Sequence, residues 1–166
     1  MRLKDILKAE KSAFDWGKWQ DGGKMPRTAF PLSKPRDRAY KLPSYRWRVV
    51  TFSALGHLFR LLIAYRLDKE QYRAVLAQDH GRDMTVVAQY EFHGTHPGWH
   101  LLATCEGIET APVGVMRHPW QRRFPNSLRG TYSQRHAEFR VASDDHALSV
   151  AQRFFRLQHR KGELGL

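Results

Sequence analysis

From Tyr45 onward, hydrophobic positions come in short runs rich in β-branched, aromatic and leucine residues, broken by polar turn signals at intervals of about ten residues. That cadence predicts an antiparallel meander with strands over residues 46–53, 59–67, 71–77, 85–92 and 99–104. The turns fall at 54–57, 68–70, 78–83 and 93–98. Leucines within 54–65 satisfy the strand and helix periods alike, so a helix there is the rival to the second strand. Helical spacing is clearest at the other end of the chain. Ser143 or Asp144 can cap a helix whose Ala147, Leu148, Val150, Ala151, Phe154, Phe155 and Leu157 make one broad apolar face. Its expected end is Gln158-His159-Arg160-Lys161-Gly162, with cations at the negative pole of the helix and a glycine to stop it. Such a helix should pack across the sheet.

Before the meander, Leu3, Ile6, Leu7 and Phe14 sit among Lys and Glu at spacings that suit a short amphipathic docking helix. Periodicity then vanishes from 15 to 43, where Gly17, Gly22, Gly23, Pro26, Pro31, Pro35 and Pro43 interrupt any regular element. Trp16, Trp19, Phe30 and Tyr40 stand among Lys and Arg in this stretch, which reads as an extended basic arm pinned by aromatic anchors. After Gly107 the alternation is lost again, giving a loop with buried apolar pegs. The expected fold is one α+β domain of 166 residues: an antiparallel sheet of about five strands, a C-terminal helix on one face, and an N-terminal helix plus basic arm. The arm covers 1–43 and the core 44–166.

Charge sharpens the division. The net charge of +12 splits into +8 over 1–48, −2 over 49–116 and +6 over 117–166, so a near-neutral core carries basic flanks. Nucleic acid or an anionic protein surface are the natural partners. The run Arg117-His-Pro-Trp120-Gln-Arg122-Arg123-Phe124 could hold a phosphate on its arginines and stack a base on Trp120; equally, its aromatics could be core pegs. No apolar run is long enough to cross a bilayer as a helix, and no membrane partner is expected. The start lacks the apolar core of a signal peptide, and one cysteine permits no intrachain disulfide, so the expected compartment is the cytoplasm.

The candidate chemistry is concentrated between Glu91 and Glu106, where three of nine histidines and the sole cysteine lie. A hairpin loop over 94–97 pairs His93 with Gly98, and therefore Glu91 with His100. A carboxylate beside an imidazole fixes its tautomer and raises its basicity. Zinc takes thiolate, imidazole and carboxylate. The expected ligands are His96, His100, Cys105 and His118, with His136 a further candidate and Glu106 or Glu91 acting as acid or base. Cys105 points away from His100 on a regular strand and joins it only if the strand ends or bulges at Thr104. A metal-free Cys/His site and a purely structural role for these residues are the competing readings.

The order Cys105, Glu106, His118, His136 is similar to a family labelled by its Cys-Glu-His-His signature. Pro97-Gly-Trp-His100, His118-Pro-Trp120, Arg122-Arg123 and Phe154-Phe155-Arg156 resemble alphaproteobacterial and mobile-element proteins. Membership would imply a metal-binding protein with hydrolase activity, linked to bacterial ubiquitin-like conjugation machinery or phage defence. His93-Gly94-Thr95 and Gly130-Thr-Tyr-Ser133 also look like pieces of ADP-ribosyltransferases. That family needs a later strand-borne glutamate, and only Glu138 and Glu163 follow Tyr132.

Overall fold

The computed structural model describes residues 1–34, 42–93, 96–125 and 138–158, leaving aside the side chains of residues 96 and 97. All five expected strands form: β3 (Arg46–Ala54), β4 (His57–Arg66), β5 (Gln71–Asp79), β6 (Met84–His93) and β7 (His96–Thr104). The rival helix over 54–65 is absent, since β4 pairs along its length with both β3 and β5. Cross-strand packing decides where two periods tie. The strand count is larger than expected. Three short strands, β1 (Ser12–Asp15), β2 (Gln20–Asp21) and β8 (Gln121–Phe124), bring the sheet to eight, all antiparallel, in the order β1-β3-β4-β5-β6-β7-β8 with β2 also on β3. These pieces join the edges through backbone bonds and leave much of their side chains in solvent, so no hydrophobic alternation announced them.

Successive strand residues alternate between the sheet's two faces, and two cores result. One holds Val50, Phe52, Phe59, Leu61, Tyr72, Leu76, Phe92 and Trp99 beneath two helices, α1 (Leu3–Lys8) and α2 (Asp144–Phe155). The other holds Trp47, Leu62, Ala64, Val75, Ala77, Met84 and Val86 beneath Met25, Phe30, Leu32 and Leu42 of the arm and Met116 of the later loop. Of the aromatic anchors expected in the arm, Phe30 is buried here, Trp16 and Trp19 are partly buried against the helix-side core, and Tyr40 lies outside the described residues. Gly17 lets it run close to β3: its φ is +60°, and a Cβ there would lie 2.2 Å from the Val49 carbonyl oxygen.

Helix α2 buries Ala147, Ala151 and Phe155 against the sheet, with Leu148, Val150 and Phe154 partly buried beside them. Ser143 Oγ accepts the His146 N–H at 3.2 Å. Asp144 anchors the first turn by pairing with Arg46 and accepting from Tyr65, and the Tyr72 hydroxyl donates to the Ala147 carbonyl at 3.0 Å. The helix stops earlier than expected: Arg156 takes the left-handed conformation and Leu157 N–H returns to the Gln152 carbonyl. Residues 159–162 lie outside the described residues. Helix α1 ends where buried Lys11 donates to the Ile6 and Ala9 carbonyls, a cation at the negative pole. Among the described residues, no helix is long and apolar enough to cross a membrane.

Candidate metal centre

The site lies on the arm face, where β5, β6 and β7 run side by side. The Gln78–Met84 turn alone would set a register that puts Arg73 opposite Tyr90. A bulge between Leu76 and Ala77 shifts the pairing by one residue, and Arg73 faces Glu91 instead. Across the next hairpin Glu91 faces His100, the pairing expected from the sequence. The turn itself is tighter than the expected one. After a second irregularity His93 pairs with His96, not with Gly98, and Gly98 absorbs the offset at a φ of +100°.

Arg73, Glu91 and His100 therefore form one row across three strands, and Arg117 reaches into it from the loop before β8. Glu91, 1 % exposed, is the hub. His100 Nε2 lies 3.2 Å from Oε2, Arg117 Nη2 lies 3.2 Å from the same oxygen, and Arg73 Nε lies 2.9 Å from Oε1. The Arg73 contact is an ion pair without hydrogen-bond alignment, since Oε1 accepts no geometrically sound bond. Burial, the largest single effect on Glu91, pushes its pKa up. The His100 hydrogen bond and the charges of Arg73, Arg117 and His100 together outweigh it and hold the carboxyl down to about 2. His100 Nδ1 faces the Gly98 carbonyl at 3.4 Å. The His93 ring meets the His100 ring edge-on, with centroids 4.9 Å apart.

Among the described residues, Glu91, His93 and His100 form the one group of three His, Cys, Asp or Glu side chains whose ligand atoms lie within 4.8 Å of one another. They are close enough to hold a metal ion. A pocket of about 280 Å³ opens beside them, with Tyr45, Gln71, Arg73 and Arg117 in its wall.

The other expected site residues are not brought to this point. Cys105 Sγ contacts the Ala103 carbonyl, and its side chain lines a depression with Leu3, Leu101 and Ala103 on the helix face. The strand does end at Thr104, one of the two conditions expected to bring Cys105 to His100, yet Cys105 stays on the helix face. His118 is on the correct face, with Nε2 near the Val86 carbonyl and Thr104 Oγ1. Thr104 is four residues beyond His100, however, a strand distance of about 13 Å. Glu106 is exposed in the turn after β7. His96 belongs to β7 by its backbone, but its side chain lies outside the described residues, as do His136, 130–133 and Glu163. The Cys-Glu-His-His order therefore does not converge in its three described members. Trp120 is 42 % exposed and stands beside His118. Arg122 and Arg123, expected to act together, pair with Ala103 and Leu102 on β8 and so point to opposite faces.

Two members of the centre escaped the sequence reading. His93 shares Glu91's face by simple alternation, a signal that was present but was not counted toward a ligand set. Arg73 had no such signal, because its position opposite Glu91 depends on the bulge. Compared with known families, curated proteins and solved structures, the chain matches no family model, no curated protein and no solved structure.

Proposed function

We propose that this protein binds a divalent transition-metal ion, zinc foremost, through Glu91, His93 and His100, and is a cytoplasmic hydrolase acting on an anionic substrate held by Arg73 and Arg117. The observation that carries the reading is the setting of His100. Its Nδ1 faces a carbonyl and its Nε2 faces an ionised carboxylate, both acceptors. A neutral imidazole has one N–H, so one of the two contacts needs a cation between its atoms, either a second proton or a metal ion. Nδ1–H on a backbone carbonyl with Nε2 turned toward the ion is the arrangement that orients histidine ligands. The spacing suits the second option: ligand bonds of about 2.0–2.1 Å at octahedral to tetrahedral angles set neighbouring donor atoms about 2.8–3.4 Å apart, and Nε2 and Oε2 are separated by 3.2 Å.

Two imidazoles and one carboxylate, with an open side toward a pocket, match the three-ligand sites of catalytic zinc; the same donors also serve iron(II). An ion bound there supplies Lewis-acid chemistry for hydrolysis. The chain's own residues do the rest. Glu91 stays ionised, and so able to ligate, at every physiological pH. Arg117 shares Oε2 with His100 and is 59 % exposed, so it can withdraw into the pocket and yield that oxygen. Arg73 and Arg117 then orient a negative group against the centre.

Metal-stripped protein titrated with zinc, iron(II) and manganese(II) by calorimetry tests this directly. The expected result is one zinc per chain, abolished in His100→Ala and Glu91→Gln. The absence of binding, or binding that survives both substitutions, overturns the proposal.

A further inference from the structure

Gln71, Arg73 and Arg117 bring hydrogen-bond donors to the pocket wall. Arg117 spends Nη2 on Glu91, and its remaining N–H groups have no acceptor among the described residues. Tyr45 donates its hydroxyl to Gln71 Oε1 at 2.7 Å, which leaves the Gln71 amide N–H₂ group on the donor side of the pocket. Arg73 closes the floor at Glu91. Set against this, among the described lining residues, is the Glu91 carboxylate, with cationic groups at both oxygens. Among the described lining residues two guanidiniums face one carboxylate, and a divalent ion at the centre would add to the positive charge there. The unspent donors of Arg117 and Gln71 favour an anion in the space beside the centre. A carboxylate offers two oxygens, whereas donors arriving from β5 and from the Arg117 loop approach from separate sides and suit an anion with three or four.

We propose that the pocket between Gln71, Arg73 and Arg117 binds a phosphate group. As a substrate assignment this rests on the metal reading, but as a binding site it stands on the metal-free protein, and it is tested there. Inorganic phosphate is titrated by calorimetry into the metal-stripped full chain in a buffer of low ionic strength. Arg117→Ala should weaken phosphate at least about tenfold, the effect of one charge-assisted hydrogen bond, and Gln71→Glu should abolish it. The same Arg117→Ala substitution should tighten zinc, because it removes a cation that competes for Glu91 Oε2. Arg122→Ala, which removes an equal charge from an exposed position on β8, should leave phosphate binding unchanged.

No phosphate binding by the parent chain, or equal losses in Arg117→Ala and Arg122→Ala, overturns the proposal. Equal losses would mean that the anion answers to the +12 field alone. Zinc binding without phosphate binding removes this inference and spares the metal reading; phosphate binding without zinc does the reverse. Two competitors identify the source. Displacement of phosphate by a 5′-phosphorylated dinucleotide, and not by its 5′-hydroxyl counterpart, supports a nucleic-acid end, and displacement by phenyl phosphate alone supports a small ester. Displacement by neither overturns the assignment.

Discussion

Replacing Glu91 by glutamine isolates the electrostatics of the centre from its shape. The carboxyl sits at about 2 in the folded chain against an ordinary value of 4.5. A folded pKa below the unfolded one means that the unfolded chain takes up the proton first as the pH falls. The stability contributed by Glu91 is therefore complete above about pH 4.5 and is lost as the pH falls through about 2. The gap between the two values corresponds to about 3 kcal/mol at neutral pH. Glutamine keeps the volume and one acceptor oxygen but removes the negative charge that Glu91 sets against Arg73 and Arg117. Their side chains are 33 % and 59 % exposed and recover part of the loss by hydration, so the expected cost at pH 7 is roughly 2–3 kcal/mol, below that of breaking a fully buried pair. Urea unfolding of both proteins between pH 7 and pH 2 measures it. The parent should lead at neutral pH, and the lead should shrink steadily below about pH 4.5 and close near 2. Two stability profiles that run parallel across that range would refute the reasoning, because the charge on Glu91 would then be felt equally in the folded and unfolded chains.

Three further outcomes follow from particular contacts. Cys105→Ala should leave zinc stoichiometry and affinity unchanged by calorimetry, since Sγ lies on the helix face, away from His100. Phe155→Ala empties a fully buried position under α2 and should cost about 3–4 kcal/mol by urea unfolding. Gly17→Ala forces a Cβ onto the Val49 carbonyl at positive φ and should cost about 2 kcal/mol or more in the same assay.

The core of the fold was legible because its signals are local and repeated. β3 to β7 carry alternation long enough to fix a face, and α2 carries both a cap and a stripe. The edge strands were not legible, since β1, β2 and β8 hold too few residues to show a period and pair mainly through backbone groups. The same contrast divides the site. The pairing of Glu91 with His100 followed from alternation and a short loop. Its survival through a different turn reflects compensation, in which the tighter loop is offset by the irregularity at Phe92 and His93. Arg73 depends on one extra residue in β6, and a one-residue slip exchanges the faces of every side chain beyond it. Arg117 was singled out for its charge, but the grouping was wrong, because β8 separates Arg122 from Arg123 while the preceding loop sends Arg117 inward.

The placement of polar groups along the sheet argues that this region was not shaped for stability alone. On the arm face, the β3–β5 side is closed by Trp47, Leu62, Ala64, Val75 and Ala77 under apolar pegs from the arm. The β6–β8 side of the same face carries Gln89, Glu91, His100, Thr104 and Arg123, all placed there by register. Among the described residues, Gln89 Oε1, His118 Nδ1 and Arg123 Nε and Nη2 are buried there without hydrogen-bond partners. Each such atom costs about 1–3 kcal/mol. Leucine or valine at Gln89 and Arg123 would continue the apolar layer and remove that cost. On the opposite face of the same strands the chain does use that solution, with Tyr90 stacked on Phe154 at 4.0 Å and Trp99 beside it. The unsatisfied polar atoms of β6 to β8 thus gather on the face that also carries Glu91 and His100, which is where the proposed recognition and chemistry are located.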